Sequence, residues 1–391
     1  MDLSIYFEPL SDDLFEGLDQ FTHPRLGNQM LIYRNGCSFP ETSGFDIAII
    51  GVTEDRASTG NEGCAQGADE IRRRLYHLFP GAWNARIADL GNIRQGYTIE
   101  DTYFALTSTI AALAGNKVLP VVIGGGQDLT FAMYKAYEQM GQIINMVAAD
   151  PMFDLGETQT ELNSRSYLSR IIMQRPNYLF NYTNLGYQTY FVDQPALDLM
   201  KKLLFDCYRL GSLTANIRET EPLVRNADLL SFDIGSIRAA DAPGNANATP
   251  NGFTGDQACR IVRYAAMSDK LTSIGIFEYN PAYDRMGLTA MLAAQMIWYI
   301  FEGFNARKKD FPSRESESFI KYIVPTSDFS DGILFLKSRK TDRWWMEVIC
   351  GADNRQKYAS HYIVPCTYED YQTACNNEIP DRWWQVYQKL M

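Results

Sequence analysis

The stretch Ile143-Ile144-Asn145-Met146-Val147-Ala148-Ala149-Asp150-Pro151-Met152-Phe153-Asp154 decides how this chain folds. Ile143 to Ala148 is an apolar run of strand length, and it gives way at once to a proline and two aspartates. The same grammar recurs twice: Val118 to Ile123 precedes Gly124-Gly125-Gly126-Gln127-Asp128, and Leu229 to Phe232 precedes Asp233-Ile234-Gly235. A strand buried on both faces reads as a continuous apolar run, so each polar segment is expected at the carboxyl end of a parallel strand, where open α/β sheets place their sites.

Working outward, Asp46 to Gly51 and Ser273 to Phe277 are further strand candidates. Helical periodicity marks Gly67 to Leu78, Ile99 to Ala114, Leu129 to Met140, Ser164 to Gln174, Thr254 to Met267 and Leu288 to Phe304. Thr254 with Gln257 three residues on fits a capping box. Strands alternating with helices imply right-handed crossovers and a sheet covered on both faces, hence a three-layer α/β domain with a central parallel sheet over residues 1–305.

The order and spacing of the three strand-end segments resemble the ureohydrolase superfamily of arginase, agmatinase and formimidoylglutamase. Gly51-Val52-Thr53-Glu54-Asp55, Gly67-Ala68-Asp69-Glu70-Ile71-Arg72, Ala242-Pro243-Gly244, Pro250-Asn251-Gly252-Phe253-Thr254 and Phe277-Glu278-Tyr279-Asn280-Pro281 extend the resemblance over about residues 45 to 305, closest to the formimidoylglutamase branch. It implies an arginase-like fold and hydrolysis of guanidino or formimino C–N bonds by two manganese ions. Asp150, Asp154 and Asp233 stand at ligand positions of that family. Gln127 and Met152 stand where it has histidines, and Gly235 where it has an aspartate. Glu278 falls where a glutamate grips the cationic nitrogens of the substrate, and Asp128 is a second carboxylate placed to recognise a cationic group.

These substitutions change what the site can hold. A thioether is a poor ligand for hard or borderline divalent metals, and glycine offers no side chain, so the second ion keeps only Asp150 and Asp233. The first site keeps Asp150, Asp154 and Asp233 with the amide oxygen of Gln127, an all-oxygen set suited to one weakly held manganese, magnesium or calcium ion. With no metal bound, convergent carboxylates repel, so one protonates or an internal cation enters. Arg238, where the family motif carries another aspartate, is one such cation; it is equally placed to be a surface arginine. His23, His77 and His361 lie outside the motifs and replace no lost ligand.

The 391 residues, 46% hydrophobic, are enough for one large core and an appendage. The start lacks the blocks of a signal peptide and no apolar stretch reaches membrane-spanning length, which together imply a cytoplasmic protein. The net charge of −11, with no local basic patch, argues against nucleic acid and anionic membranes as partners. Seven scattered cysteines with no C-x-x-C pair suggest neither a zinc site nor a disulfide framework.

After Phe304 the polar run Ala306 to Glu315 reads as a linker into a C-terminal appendage, residues 306–391, with four of the six tryptophans. Within it Tyr322-Ile323-Val324-Pro325 recurs as Tyr362-Ile363-Val364-Pro365, and Asp342-Arg343-Trp344-Trp345 as Asp381-Arg382-Trp383-Trp384, too few copies for a solenoid. The tryptophans either dock this appendage on the main domain or make it an interface with a protein partner or a second copy in a homo-oligomer. For function, the sequence supports a pseudoenzyme that has lost binuclear manganese catalysis and binds a small-molecule ligand, scaffolds or pairs with a partner. The alternative is a formimidoylglutamase- or arginase-like hydrolase working with a reduced metal site.

Overall fold

The structure, a computed structural model, describes residues 2–20, 22–156, 161–312, 316–327, 329 and 331–391. Residues 313–315 of the expected linker lie outside the described residues.

Ten strands form the main sheet: β1 (Phe7–Glu8), β2 (Leu31–Ile32), β3 (Ile47–Val52), β4 (Ile87–Ile93), β5 (Leu119–Ile123), β6 (Ile144–Ala149), β7 (Leu179–Tyr187), β8 (Asp206–Arg209), β9 (Leu229–Asp233) and β10 (Ser273–Phe277). The order is β1-β4-β3-β5-β10-β9-β6-β7-β8, with β2 also pairing β4. Every pairing is parallel except β1 with β4. β3, β5, β6 and β10 are buried along their whole length, the physical reason that their sequences read as unbroken apolar runs.

Successive residues serve opposite faces. Ile47, Ile49, Val121 and Ile123 pack under the helices Gly67–Leu75, Gly255–Ala266 and Leu288–Asn305, whereas Ala48, Ile50 and Val122 pack under Ile99–Gly115 and Leu129–Met140. The result is the expected three-layer α/β fold. The capping box is formed, with Gln257 N–H donating to Thr254 Oγ1 at 3.2 Å and Thr254 N–H to Gln257 Oε1 at 2.9 Å. Among the described residues no helix is long and apolar enough to cross a membrane.

A second, antiparallel sheet follows: β11 (Phe319–Val324), β12 (Ile333–Ser338), β13 (Trp344–Glu347) and β14 (Ile363–Cys366), in that order. The helices Tyr368–Cys375 and Asp381–Leu390 come after it. The two Asp-Arg-Trp-Trp copies are not structural equivalents, since the first enters strand β13 and the second begins a helix. Trp345 and Trp383 are buried, Trp344 is half-buried and Trp384 is exposed. Trp383 Nε1 donates to Glu347 O at 2.8 Å, satisfying its one polar atom.

The appendage docks on the main domain. The buried Arg225 guanidinium stacks 4.3 Å from the Trp345 ring and donates to Trp344 O and Cys366 O at 3.1 and 3.3 Å. Arg382 pairs with Glu219 at 2.7 Å, and the His361 ring lies against Phe180 with Nε2 3.1 Å from Ile143 O.

Candidate functional site

β5, β10, β9 and β6 are neighbours and run parallel, so their carboxyl ends open together. Chain order is broken here, because β9 and β10 insert between β5 and β6, and a crevice forms where the order changes. Gln127, Glu278, Asp233 and the loop from Asp150 to Asp154 meet at this point. The lining includes Gln127, Met152, Asp154, Asp233, Gly235 and Glu278 around a cavity of about 250 Å³.

The local backbone explains how the groups arrive. After β5 the chain reverses through Gly124 and Gly125, at φ +84° and +80°. A Cβ on Gly125 would lie 2.4 Å from Leu129 Cδ1 and 2.7 Å from Glu54 O, so this position excludes any side chain. The turn aims Gln127 N–H at Glu278 Oε1, 2.8 Å away. Asp154 and Glu278 are themselves left-handed, at φ +48° and +65°, a conformation that costs side-chain-bearing residues on the order of 1–3 kcal/mol and concentrates at functional sites.

Glu278 is clamped at its carboxylate by Asn61 Nδ2 at 2.7 Å and by Ser58 Oγ at 3.2 and 3.3 Å, besides Gln127 N–H. Asn61 and Asn245 also donate to its backbone carbonyl at 3.0 and 2.9 Å. Burial raises its pKa, and these donors pull against that rise.

The three aspartates carry the strain of convergence. Burial drives Asp150 well above the carboxylate range, reinforced by the charge of Asp154, and the protonated Asp150 donates to Asp154. Asp154 is raised to about 7, burial outweighing that donated bond, and Asp233 is raised by burial and by Asp150. Backbone amides take part of each, Met152 N–H reaching Asp150 Oδ1 at 2.8 Å and Gly235 N–H reaching Asp233 Oδ1 at 2.6 Å. Gln127 Oε1 is a buried acceptor without a hydrogen-bond partner, and the buried phenols of Tyr167 and Tyr182 lie beside the aspartates.

Two expected residues stand elsewhere. Asp128 does not line the cavity: it is fully buried behind Gly126, accepts from Tyr103 OH at 2.7 Å, and burial lifts it to about 7. Arg238 is not the internal cation, because it pairs with Asp241 at 3.0 Å over a separate groove. The cation whose field reaches Asp154, Asp233 and Glu278 is Arg165, at the cavity rim.

Asn61, Ser58, Arg165 and Asn184 carried no signal in the sequence. Asn184 on β7 pins the Asp150 loop by donating to Asp150 O and Met152 O at 3.2 and 2.9 Å.

The donor set does not fit a manganese pair. It offers no imidazole, a thioether at Met152 and no side chain at Gly235. Among the described residues no group of three or more His, Cys, Asp or Glu side chains is arranged to hold a metal ion.

The sequence profile of the arginase family matches residues 45–302. Formimidoylglutamase of Streptococcus gordonii is 26% identical over 293 residues, 68% of this chain and 87% of that protein; the Staphylococcus aureus formimidoylglutamase is 24% identical over 269 residues, 66% and 86% respectively. Among solved structures, Trypanosoma cruzi formiminoglutamase with two manganese ions superposes with a TM-score of 0.66 at 18% identity, covering 73% of this chain and 99% of that one. Bacillus subtilis formimidoylglutamase gives 0.62 at 20% identity, covering 70% and 96%.

Proposed function

Because this chain belongs to the arginase family, on its formimidoylglutamase branch, we propose that it binds a small cationic amidine or guanidine in the strand-end pocket without binuclear manganese hydrolysis. The observation that carries this reading is the donor set. Three carboxyl groups, Asp154, Asp233 and Glu278, line one small cavity with Asp150 buried beside Asp154, while the positions that would complete a metal pair hold Gln127, Met152 and Gly235. Glu278, held by five donated hydrogen bonds to its carboxylate and carbonyl from Ser58, Asn61, Gln127 and Asn245, is set to receive two N–H groups of a planar cation.

Titration calorimetry with guanidinium compounds tests it: binding by the wild type that falls in Glu278→Gln supports the reading, and wild-type protein that binds none of them ends it.

A second reading is favoured by Gln127 Oε1, a buried acceptor of the kind that a cation would satisfy. In it, one weakly held manganese, magnesium or calcium ion serves a residual hydrolysis of linear amidines. Metal analysis of the purified chain, paired with assays for urea, formamide and ammonia release, separates the two. Release of any of these products that is abolished by chelation would favour the second.

A further inference from the structure

A second, larger groove of about 460 Å³ lies at the carboxyl ends of β7 and β8, behind one wall of the strand-end cavity. Phe191 and Thr249 line the cavity, and their chain neighbours Tyr190 and Pro250 line the groove. That wall is tied across by Gln188 Nε2 donating to Asn251 O and Asn251 Nδ2 donating to Tyr190 OH, both at 3.2 Å. Two cations line the groove, Arg209 at the end of β8 and Arg238, together with Thr189, Thr214, Tyr187 and Tyr190. Among the described residues no aspartate or glutamate lines it, although the chain has 47 acidic residues against 36 lysines and arginines. The positive lining is therefore local to this groove and opposes the overall charge.

Neither guanidinium is fully used by the fold. Arg209 is exposed and makes no ion pair among the described residues. Burial raises the Tyr187 phenol and the Arg209 charge pulls against that rise, which puts the guanidinium near this ring. Arg238 pairs through Nη2 with Asp241 Oδ1 at 3.0 Å, while its Nε has no hydrogen-bond partner. Asp241 also accepts from Gly255 N–H at 2.8 Å on its other oxygen, so its charge is shared. We propose that this groove is a second ligand site, which takes the phosphate end of a small phosphate monoester with a flat apolar body. A phosphate brings three acceptor oxygens and about −1.5 to −2 charge at pH 7, enough to serve two planar guanidiniums at once, where a carboxylate brings two oxygens and one charge. The volume falls within the range of about 300–1,000 Å³ usual for ligand pockets, which leaves room for the ester body, and the rings of Tyr187 and Tyr190 offer it aromatic surface. The family motif carries an aspartate where Arg238 stands, so the second cation is a feature of this chain. The inference is independent of what fills the strand-end cavity.

The test titrates phenyl phosphate, inorganic phosphate and benzoate by calorimetry into the full chain, as wild type, Arg209→Gln, Arg238→Gln, Arg238→Lys and Arg165→Met. The wild type is expected to bind phenyl phosphate about tenfold or more tighter than benzoate, and tighter than inorganic phosphate. Arg209→Gln and Arg238→Gln should each weaken phenyl phosphate by about tenfold or more, the worth of one charge-assisted hydrogen bond, and Arg238→Lys should keep part of the affinity. Because Arg209 is exposed and Arg238 half-exposed, circular dichroism should show these variants folded. Arg165→Met, which removes the cation of the neighbouring cavity, should leave phenyl phosphate affinity unchanged. Wild-type protein that binds no phenyl phosphate, or binds benzoate or inorganic phosphate as tightly, overturns the proposal. So does affinity that survives both glutamine variants, or that is lost in Arg165→Met, which would put the phosphate in the strand-end cavity.

Discussion

Acidification should loosen the docking of the C-terminal sheet through a single imidazole. His361 is 2% exposed, stacks on Phe180 at 4.6 Å and faces Ile143 O with Nε2, while Nδ1 has no partner. Burial, then the nearby charge of Lys270, lowers its pKa to about 2. The ring is therefore neutral in the folded protein, and the unfolded ring takes a proton near pH 6.5. Above that pH neither state is protonated and nothing changes. Below it the unfolded state binds the extra proton, so stability falls by about 1.4 kcal/mol per pH unit, or about 2 kcal/mol by pH 5. His361→Phe keeps the stack but leaves Ile143 O unpaired, at a cost of about 1–3 kcal/mol at neutral pH. Urea unfolding followed by tryptophan fluorescence, at about pH 7.5 and about pH 5, gives the comparison. The stability gap between wild type and variant should shrink by about 2 kcal/mol at the lower pH, with carboxylate titrations common to both cancelling. A gap that stays constant would show that His361 is not held neutral, and the reasoning would fail.

Three further outcomes are expected. Glu278→Gln should weaken binding of guanidinium probes by about tenfold or more in calorimetry, because it removes the charge of a carboxylate whose donors are already in place; unchanged affinity would mean that the cation sits elsewhere. The purified chain should contain less than about one manganese ion by elemental analysis, and Gln127→His, Met152→His and Gly235→Asp together should raise uptake, since a Cβ at Gly235 lies 3.1 and 3.2 Å from the Asp233 carboxylate oxygens, close enough to share an ion after a small shift. A folded triple variant that takes up no manganese would show that the surrounding pocket blocks the pair. Arg225→Met should lower the urea midpoint by the equivalent of about 1–3 kcal/mol, as Trp344 O and Cys366 O lose their donor, and an unchanged midpoint would remove Arg225 from the docking.

What the sequence discloses follows burial. β3, β5, β6, β9 and β10 were legible to within a residue or so because a strand covered on both faces has little place for polar side chains. β4 was not, since Asp89, Gly91 and Asn92 interrupt it. The buried Arg72 explains the interruption: it donates to Asp89 at 2.8 and 2.9 Å and to Gly91 O at 3.0 Å. β7 hid in the same way behind Asn181, Asn184 and Gly186. In the site, Glu278 and the three aspartates could be named because they match motifs of the resembling family at or just beyond strand ends. Arg165, Asn61 and Asn245 come from loops whose meeting is a property of the folded chain, and no local pattern announces it. For Arg238 the sequence left two readings open, and the structure takes the surface one, its side chain turning to Asp241.

The costs in this molecule are not spread evenly, and their distribution argues for a working pocket. Asp154 and Glu278 hold left-handed backbone, Gln127 Oε1 is a buried acceptor without a partner, and at least two carboxyls sit far above their ordinary pKa. Each feature destabilises the fold, and apolar residues of similar size would relieve most of them. Elsewhere the chain follows the local rules, as in the capping box at Thr254, the unbroken strand cores and the satisfied indole of Trp383. Local rules broken together at one strand-end crevice are the signature of a site kept for a ligand rather than for stability. The carboxyl floor names the kind of ligand: burial favours protons on it when empty, and a cation that donates several N–H bonds at once stabilises its ionised form and so displaces protons as it binds. Binding should therefore release protons, and calorimetry in buffers of different ionisation enthalpy will read that release directly; a buffer-independent enthalpy would mean that the cluster is already ionised and that this account of its neutrality is wrong.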